Sequence, residues 1–593
     1  MRAFEEFFAY ELLRNLWVPP RRPDEVLYVS NNSGQLNLWR RRLRSRCPER
    51  LTFYEEWAVW FGLETPYGIL LLMDFQGRER HQMALLQPGR WPERLTRNLD
   101  HFYRFDSQTI TPDGRFVVLF SDQQDPRFPG LFLYDLERRE LRPLLHQEGR
   151  QLMPQVVSPD GQWLLAIAVL DLETTEVLLV HLATGESEVL LPARKEVTQV
   201  PVDWHPSGRG FYVLTDQDHE FTWLGYYDLE QRTLTPVAQP EHDVEWMRYH
   251  NGTLFWVENH DGRHVLLARR EGAARTRRFR LPAGNFSSLR LVGDFLYLVL
   301  EGARFPSNLL KLHLRSGRYR KVAGGFYTDL SEDELVEPES VRYRSFDGLP
   351  IQAWLYRPKG AQGRVPVVLS IHGGPNWQER PLYSGFYQYL LQHGVAVFAP
   401  NYRGSTGFGK TFKRLIYRDW GGAELRDLEE GVRWLLQQPW VDPQRIAVFG
   451  GSFGGFATLS CLTRLPQYFC CGVDIMGPSN LVTFAGSVPE HWKPFMAQIV
   501  GDPEKDRDLL LERSPITYVE NLRAPLLVIQ GANDPRVVKA ESDQMVEALR
   551  RRGVPVEYVV FEDEGHGFTK RANQVRAFRL SAEFLLKHLK GTG

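Results

Sequence analysis

The chain has 593 residues, 43% of them hydrophobic and 24% charged, with a formal net charge of −1. It is too long for one ordinary domain, and its balanced charge excludes a global field that would draw nucleic acid or an anionic membrane. Four cysteines are too few for a disulfide framework, and no apolar run reaches the length of a membrane span. Glu5, Glu6 and Glu11 are wrong for a secretory signal, so a cytoplasmic setting is expected.

The first element expected is an amphipathic helix over residues 1–22. It is ended by Pro19-Pro20, with Phe4, Phe8 and Leu12 turned toward a C-terminal domain. From about residue 23 to 324 a theme repeats: a turn, a short apolar strand, a polar hairpin and a second strand. The clearest copies, TPDGRFVVLF at 111, SPDGQWLLAI at 158 and HPSGRGFYVL at 205, are each 47 residues apart. A repeat of that length with about four short strands per copy predicts a β-propeller, since one four-stranded blade cannot bury both faces alone. Seven units are counted, with six or eight left open by weak marking of the first and the last two. The arginine runs at 40–44 and 275–278 read as charged strand faces near a sheet edge rather than a nucleic-acid surface.

After about residue 324 a hairpin, VRYRSFDGLPIQAWLYRP, leads into strands alternating with helices. VPVVLSIHG, GVAVFAPNY, RIAVFGGS, CGVDIMG, APLLVIQG and VEYVVFEDEG are nearly all apolar. This predicts a doubly wound, mostly parallel sheet covered on both faces, over residues 325–593.

RIAVFGGSFGGFATL places G-x-S-x-G, as Gly450, Ser452 and Gly454, between a strand and a helix. That is the context a nucleophile elbow requires, because only glycines fit beside so tight a turn. A serine nucleophile needs a base, and the base needs an orienting acid, arriving from later strand ends in the order Ser, Asp, His. Asp534 follows APLLVIQG and His566 follows VEYVVFEDE, flanked by Gly565 and Gly567. His491 and His588 are less well placed, and Asp474 is the alternative acid. Glu562, Asp563 and Glu564 read as solvated loop charges. For the oxyanion, the N–H of Phe453 and that of Gly374, in the loop HGGP, are the expected donors. His372 in that loop is expected to hold structure rather than to act as base. No metal and no cofactor are expected.

Residues 404–411, GSTGFGKT, fit the phosphate-loop pattern at every fixed position. Four residues separate them from the preceding strand, however, and they lie between the oxyanion loop and the elbow. The match is read as accidental, and Lys410 as no nucleotide ligand.

With HGGP at 372–375, NYRGSTGFGKTF at 401–412, GGSFGGF at 450–456, GANDPRV at 531–537 and GHGF at 565–568, the chain resembles the prolyl oligopeptidase family of serine peptidases, within it the acylaminoacyl-peptidase-like branch. The resemblance implies a propeller that caps the active site and admits short peptides. It also implies that Arg536 bonds a substrate carbonyl upstream of the cleaved bond. The dipeptide-trimming branch anchors a free N-terminus with paired glutamates, but Glu55-Glu56 sits in an ordinary linking position, which argues against that mode. Phe484, Trp492 and Phe495 are candidates for the primary specificity pocket, with plain core packing as the alternative. The expectation is therefore a serine peptidase for short peptides, N-acylated or free, with no nucleic-acid or membrane partner. A carboxylesterase and a catalytically weak propeller interaction protein are the alternatives, and homo-oligomerisation is open.

Overall fold

The structure, a computed structural model, describes residues 1–45 and 47–590. Seven four-stranded antiparallel sheets follow one another from residue 14 to 324, each built from four consecutive strands, so each is one blade. The S/T-P-D-G copies are turns between the first and second strands of their blades. Thr111 Oγ1 accepts from the Phe116 N–H and Ser158 Oγ from the Trp163 N–H, both at 2.9 Å, while Gly114 and Gly161 take the positive φ the turn needs. The apolar faces of neighbouring blades then pack together, as Val118, Leu131 and Leu133 do against Leu164, Ala166 and Leu178.

The N-terminus differs from the helix expected over residues 1–22. Only Phe4–Phe8 is helical, as a short 3-10 turn, and Arg14–Trp17 is the first strand of blade one, paired with Glu25–Ser30. The apolar spacing of Phe4, Phe8 and Leu12 fits a helix equally well, but closing the ring takes priority. Tyr10 bridges to Phe326, and the buried Glu11 accepts from Tyr28 Oη and Arg41 of blade one and from the Gly324 N–H of blade seven. Phe4, Phe7 and Phe8 do pack on the C-terminal domain, against Tyr389 and Phe578.

That domain is an eight-stranded sheet. Its strands are β1 (Glu339–Arg344), β2 (Pro350–Tyr356), β3 (Val365–Ile371), β4 (Ala396–Asn401), β5 (Val441–Gly451), β6 (Cys471–Ile475), β7 (Leu526–Gly531) and β8 (Val556–Phe561). Their order is β1-β2-β4-β3-β5-β6-β7-β8. β2 is antiparallel to both its neighbours, β1 and β4, and the pairings that follow from β4–β3 to β7–β8 are parallel. β3 and β7 are buried along their whole length, because helices cover both faces. One face carries Phe453–Arg464 and Ala423–Leu436, the other Gly385–Gln392 and Arg571–Lys590. No helix among the described residues is long and apolar enough to cross a membrane.

Candidate active site

β5 ends at Gly451, and the chain turns at once into the helix Phe453–Arg464. Ser452 at the corner has φ 57° and ψ −124°, a strained conformation for a residue with a side chain. Its surroundings show why glycines flank it. A Cβ on Gly450 would lie 2.2 Å from the Gly454 carbonyl oxygen, and one on Gly454 would lie 2.1 Å from that of Ile371. The corner thus lifts Ser452 Oγ above the sheet, where His566 Nε2 meets it at 3.0 Å. His566 Nδ1 lies 2.6 Å from Asp534 Oδ2. The other carboxylate oxygen, Oδ1, accepts from the N–H groups of Arg536 and Val537 at 2.9 and 3.0 Å. Asp534 is thereby fixed at both oxygens and buried, and it fixes the imidazole tautomer that leaves Nε2 facing the serine.

Phe453 and Gly374, the expected oxyanion donors, both line the cavity that holds Ser452. Phe453 is the first residue of its helix, so its N–H has no intrahelical acceptor. Gly374, with φ 123°, lines the same cavity as Ser452 and His566. A Cβ on the adjoining Gly373 would lie 3.4 Å from that of Ser452, so this loop passes directly beside the serine.

The cavity encloses about 500 Å³. Phe484, Trp492 and Phe495 all line it, with Trp420, and Met153 and Val169 of blade four close it from the propeller side. Arg536 sits over the Trp492 ring at 5.4 Å, and its Nε lies 2.7 Å from Glu79 Oε1. Glu79 and its neighbour Gly77 come from a hairpin of blade two. A Cβ on Gly77 would lie 2.4 Å from the backbone nitrogen of Gly565, so the propeller presses on the loop that carries His566. Arg104 of blade three lines the cavity too, bonds His81 Nδ1 at 3.2 Å and lies 3.9 Å from Glu79. Burial pushes the His81 imidazole down to about 3, so it accepts from Arg104 as a neutral ring. Glu79 and Arg104 did not emerge from the sequence. The only signal was a charged hairpin, QGRER, in the second unit, and nothing local links it to residue 536.

The remaining candidates make no hydrogen bond to Ser452, Asp534 or His566 among the described residues. Asp474, the alternative acid, ends β6, and its Oδ1 accepts from the Gly477 N–H at 2.9 Å. His372 is buried, which pushes it down to about 4; it stacks on Tyr402 and bonds Ser405 Oγ at 2.9 Å. His491 faces the cavity, and burial beside Arg104, Arg80 and Arg536 lowers it to about 4. Glu564 is fully buried and accepts from the Thr569 and Lys570 N–H groups, so it is not the solvated loop charge expected of it. Glu56 takes Lys570 at 3.0 Å and Gln76 at 2.8 Å, away from the serine. In GSTGFGKT an anion does occupy the glycine-rich turn, but it belongs to the protein. Glu220 of blade five accepts from Thr411 N and Oγ1 at 3.0 and 2.7 Å, and Lys410 Nζ donates to the Asp216 carbonyl at 3.0 Å.

Residues 382–592 match the model of the prolyl oligopeptidase family. Over 270 residues the chain is 42% identical to dipeptidyl aminopeptidase BIII of Pseudoxanthomonas mexicana, covering 43% of this chain and 39% of that protein. It is 29% identical over 262 residues to the human acylamino-acid-releasing enzyme, covering 43% of this chain and 35% of the relative. The chain thus spans about two fifths of the length of these relatives. A puromycin-hydrolysing peptidase of Mycobacterium tuberculosis superposes with a TM-score of 0.88 at 20% identity, covering 100% of this chain and 96% of that one. An acylaminoacyl peptidase of Pyrococcus horikoshii does so with 0.74 at 18% identity, covering 99% and 98%.

Proposed function

We propose that the chain is a serine peptidase of the prolyl oligopeptidase family, whose model residues 382–592 match, acting on short peptides. The observation that carries this is the unbroken chain of hydrogen bonds from Ser452 Oγ through His566 to Asp534. In this reading Ser452 attacks the scissile carbonyl carbon as His566 Nε2 takes its proton. Asp534 stabilises the imidazolium that results. The tetrahedral oxyanion is held by the N–H groups of Phe453 and Gly374. His566 then gives the proton to the leaving amine, and water repeats the sequence on the acyl-enzyme.

The apolar lining formed by Phe484, Trp492 and Phe495 suits an apolar residue on the acyl side of the cleaved bond. In this reading Arg536, which lines the same cavity, bonds a carbonyl further upstream. The carboxylate of Glu79 is already engaged by Arg536 and lies 3.9 Å from Arg104, and that of Glu56 is engaged by Lys570. This favours substrates whose N-terminus is acylated or lies further away over a free ammonium held at the site. The enclosing propeller favours peptides over esters and folded chains, and four free cysteines suit a reducing, cytoplasmic setting.

The test is product mass spectrometry on a mixed library of free and acetylated peptides, with Ser452→Ala as the blank. Cleavage after apolar residues, lost in the variant by on the order of a million-fold in turnover, is expected. Substantial peptide cleavage by Ser452→Ala would overturn the assignment.

A further inference from the structure

Beside the cavity three arginines share two carboxylates. Arg80 Nη1 bonds Asp122 Oδ2 and Arg536 Nε bonds Glu79 Oε1, both at 2.7 Å. The other oxygen of Asp122 accepts from the Phe102 N–H at 2.9 Å. Arg104 is the cation left over. Its Nη2 lies 3.9 Å from the Glu79 carboxylate, beyond hydrogen-bond distance, and reaches only that residue's backbone carbonyl, at 3.5 Å. Its Nε is spent on His81 Nδ1 at 3.2 Å, and its Nη1 makes no hydrogen bond among the described residues.

The guanidinium is nevertheless held in place and open to the cavity. His81 fixes its Nε, and its Cζ lies 4.7 Å over the Phe102 ring. Arg104 lines the same cavity as Ser452, and 32% of its side chain is accessible there. The surroundings do not supply the missing negative charge. Burial and the nearby arginines bring His81 down to about 3 and His491 down to about 4, so both rings are neutral in a cationic field. Asp74 of blade two is pushed up to about 7 by burial, and its carboxylate is in no ion pair among the described residues. With Asp122 matched to Arg80 and Glu79 to Arg536, one positive charge faces the cavity unmatched.

Its place is upstream of the cleaved bond. Glu79 stands between Arg104 and Arg536, and Arg536 is read as the donor to a substrate carbonyl. A guanidinium edge next to that contact matches a carboxylate, to which its planar N–H groups donate in parallel. Building on the peptidase reading, we propose that Arg104 recognises a carboxylate on the acyl part of the substrate, upstream of the residue in the apolar pocket. That carboxylate is carried by an acidic side chain or by a dicarboxylic N-acyl cap.

The experiment uses the full chain and peptides with phenylalanine on the acyl side of the cleaved bond. In one pair glutamate or glutamine precedes the phenylalanine. In a second pair alanine precedes it, and the N-terminus carries a succinyl cap or the monoamide of that cap. The readout is the acid-to-amide ratio of kcat/KM within each pair. At least one ratio is expected to be about ten, as a charge-assisted bond to a buried arginine gives, and the pair that shows it identifies the source of the carboxylate. The preference should fall toward one in Arg104→Gln, survive in part in Arg104→Lys, and shrink in the wild type as ionic strength rises from about 0.05 to 0.5 M. Ratios near one in both pairs of the wild type overturn the proposal with no variant needed. An acid preference that Arg104→Gln leaves intact also overturns it, and would assign the contact to Arg536. If cleavage persists in Ser452→Ala, the triad assignment fails instead. If only esters are turned over, the peptidase reading fails, and the same ratios on methyl esters of these acyl parts decide the site.

Discussion

The carboxyl of Asp474 lies at the end of β6, beneath the first turn of the helix that follows Ser452, and its Oδ2 has no protein partner among the described residues. Burial pushes it up to about 8, against the opposing pull of the Gly477 N–H. The folded protein thus holds a proton that the unfolded chain releases near pH 4. Its contribution to stability is complete below about pH 4 and is lost as the pH rises toward 8. Asp474→Asn keeps the acceptor for Gly477 and cannot ionise. The expected result, measured by thermal melts across that window, is a variant equal to wild type near pH 4 and more stable than it near pH 8. A constant difference at all pH values would place the proton elsewhere. Asp534 is the contrasting carboxylate. Its two oxygens are taken by His566 and by two backbone N–H groups, so Asp534→Asn should preserve the fold yet reduce turnover about ten-thousand-fold through the wrong imidazole tautomer.

The loop carrying His566 is shaped from the propeller as well as from β8. Gly77, in the second hairpin of blade two, has φ 73° and touches Gly565 backbone to backbone, while Gly89, in a later turn of the same blade, has φ 71° and nothing within 4 Å of its missing Cβ. Alanine at either position meets the same left-handed penalty, of order 1 kcal/mol. Only Gly77→Ala also displaces the histidine loop. Gly77→Ala is expected to melt below Gly89→Ala, because its Cβ meets backbone, and kcat measured well below both melts should fall at least tenfold in Gly77→Ala alone; equal activities would refute the contact. This pair also marks how far the sequence could be read. The elbow, Asp534 and His566 were legible because strand, turn and glycines are consecutive, and β5, β7 and β8 deliver the three groups to one sheet edge. Gly77, Glu79 and Arg104 were not, because they reach the site only through closure of a ring hundreds of residues away in the chain. Residues 9–17 were misread for a related reason: Glu11 and Arg14 obey partners in blades one and seven rather than local helix spacing.

At the scale of the whole molecule the two domains meet across a polar seam. Beside the GSTGFGKT turn, Glu173 of blade four takes Lys413 at 2.9 Å and the Tyr417 hydroxyl, Glu196 takes Arg414 at 2.6 Å, and Glu220 caps the helix Lys410–Arg414. Elsewhere around the rim Arg380 meets Glu245 and Lys570 meets Glu56. Single ion pairs of this kind contribute between about 0 and 1 kcal/mol each, and salt screens them. An apolar interface would hold the domains regardless of salt, whereas this one sets their separation by charge. If enclosure is what limits substrate length, loosening the seam should relax the limit without touching the triad. Glu173→Ala combined with Glu220→Ala removes the contacts to Lys413, Tyr417 and Thr411 on one side. The kcat/KM for an unfolded peptide of roughly thirty residues, divided by that for a pentapeptide, should rise severalfold in the variant. Raising ionic strength from about 0.05 to 0.5 M should move the wild type in the same direction and the variant less. A variant that melts earlier yet keeps the wild-type ratio would show that length selection resides in the cavity walls and not in the closure of the two domains.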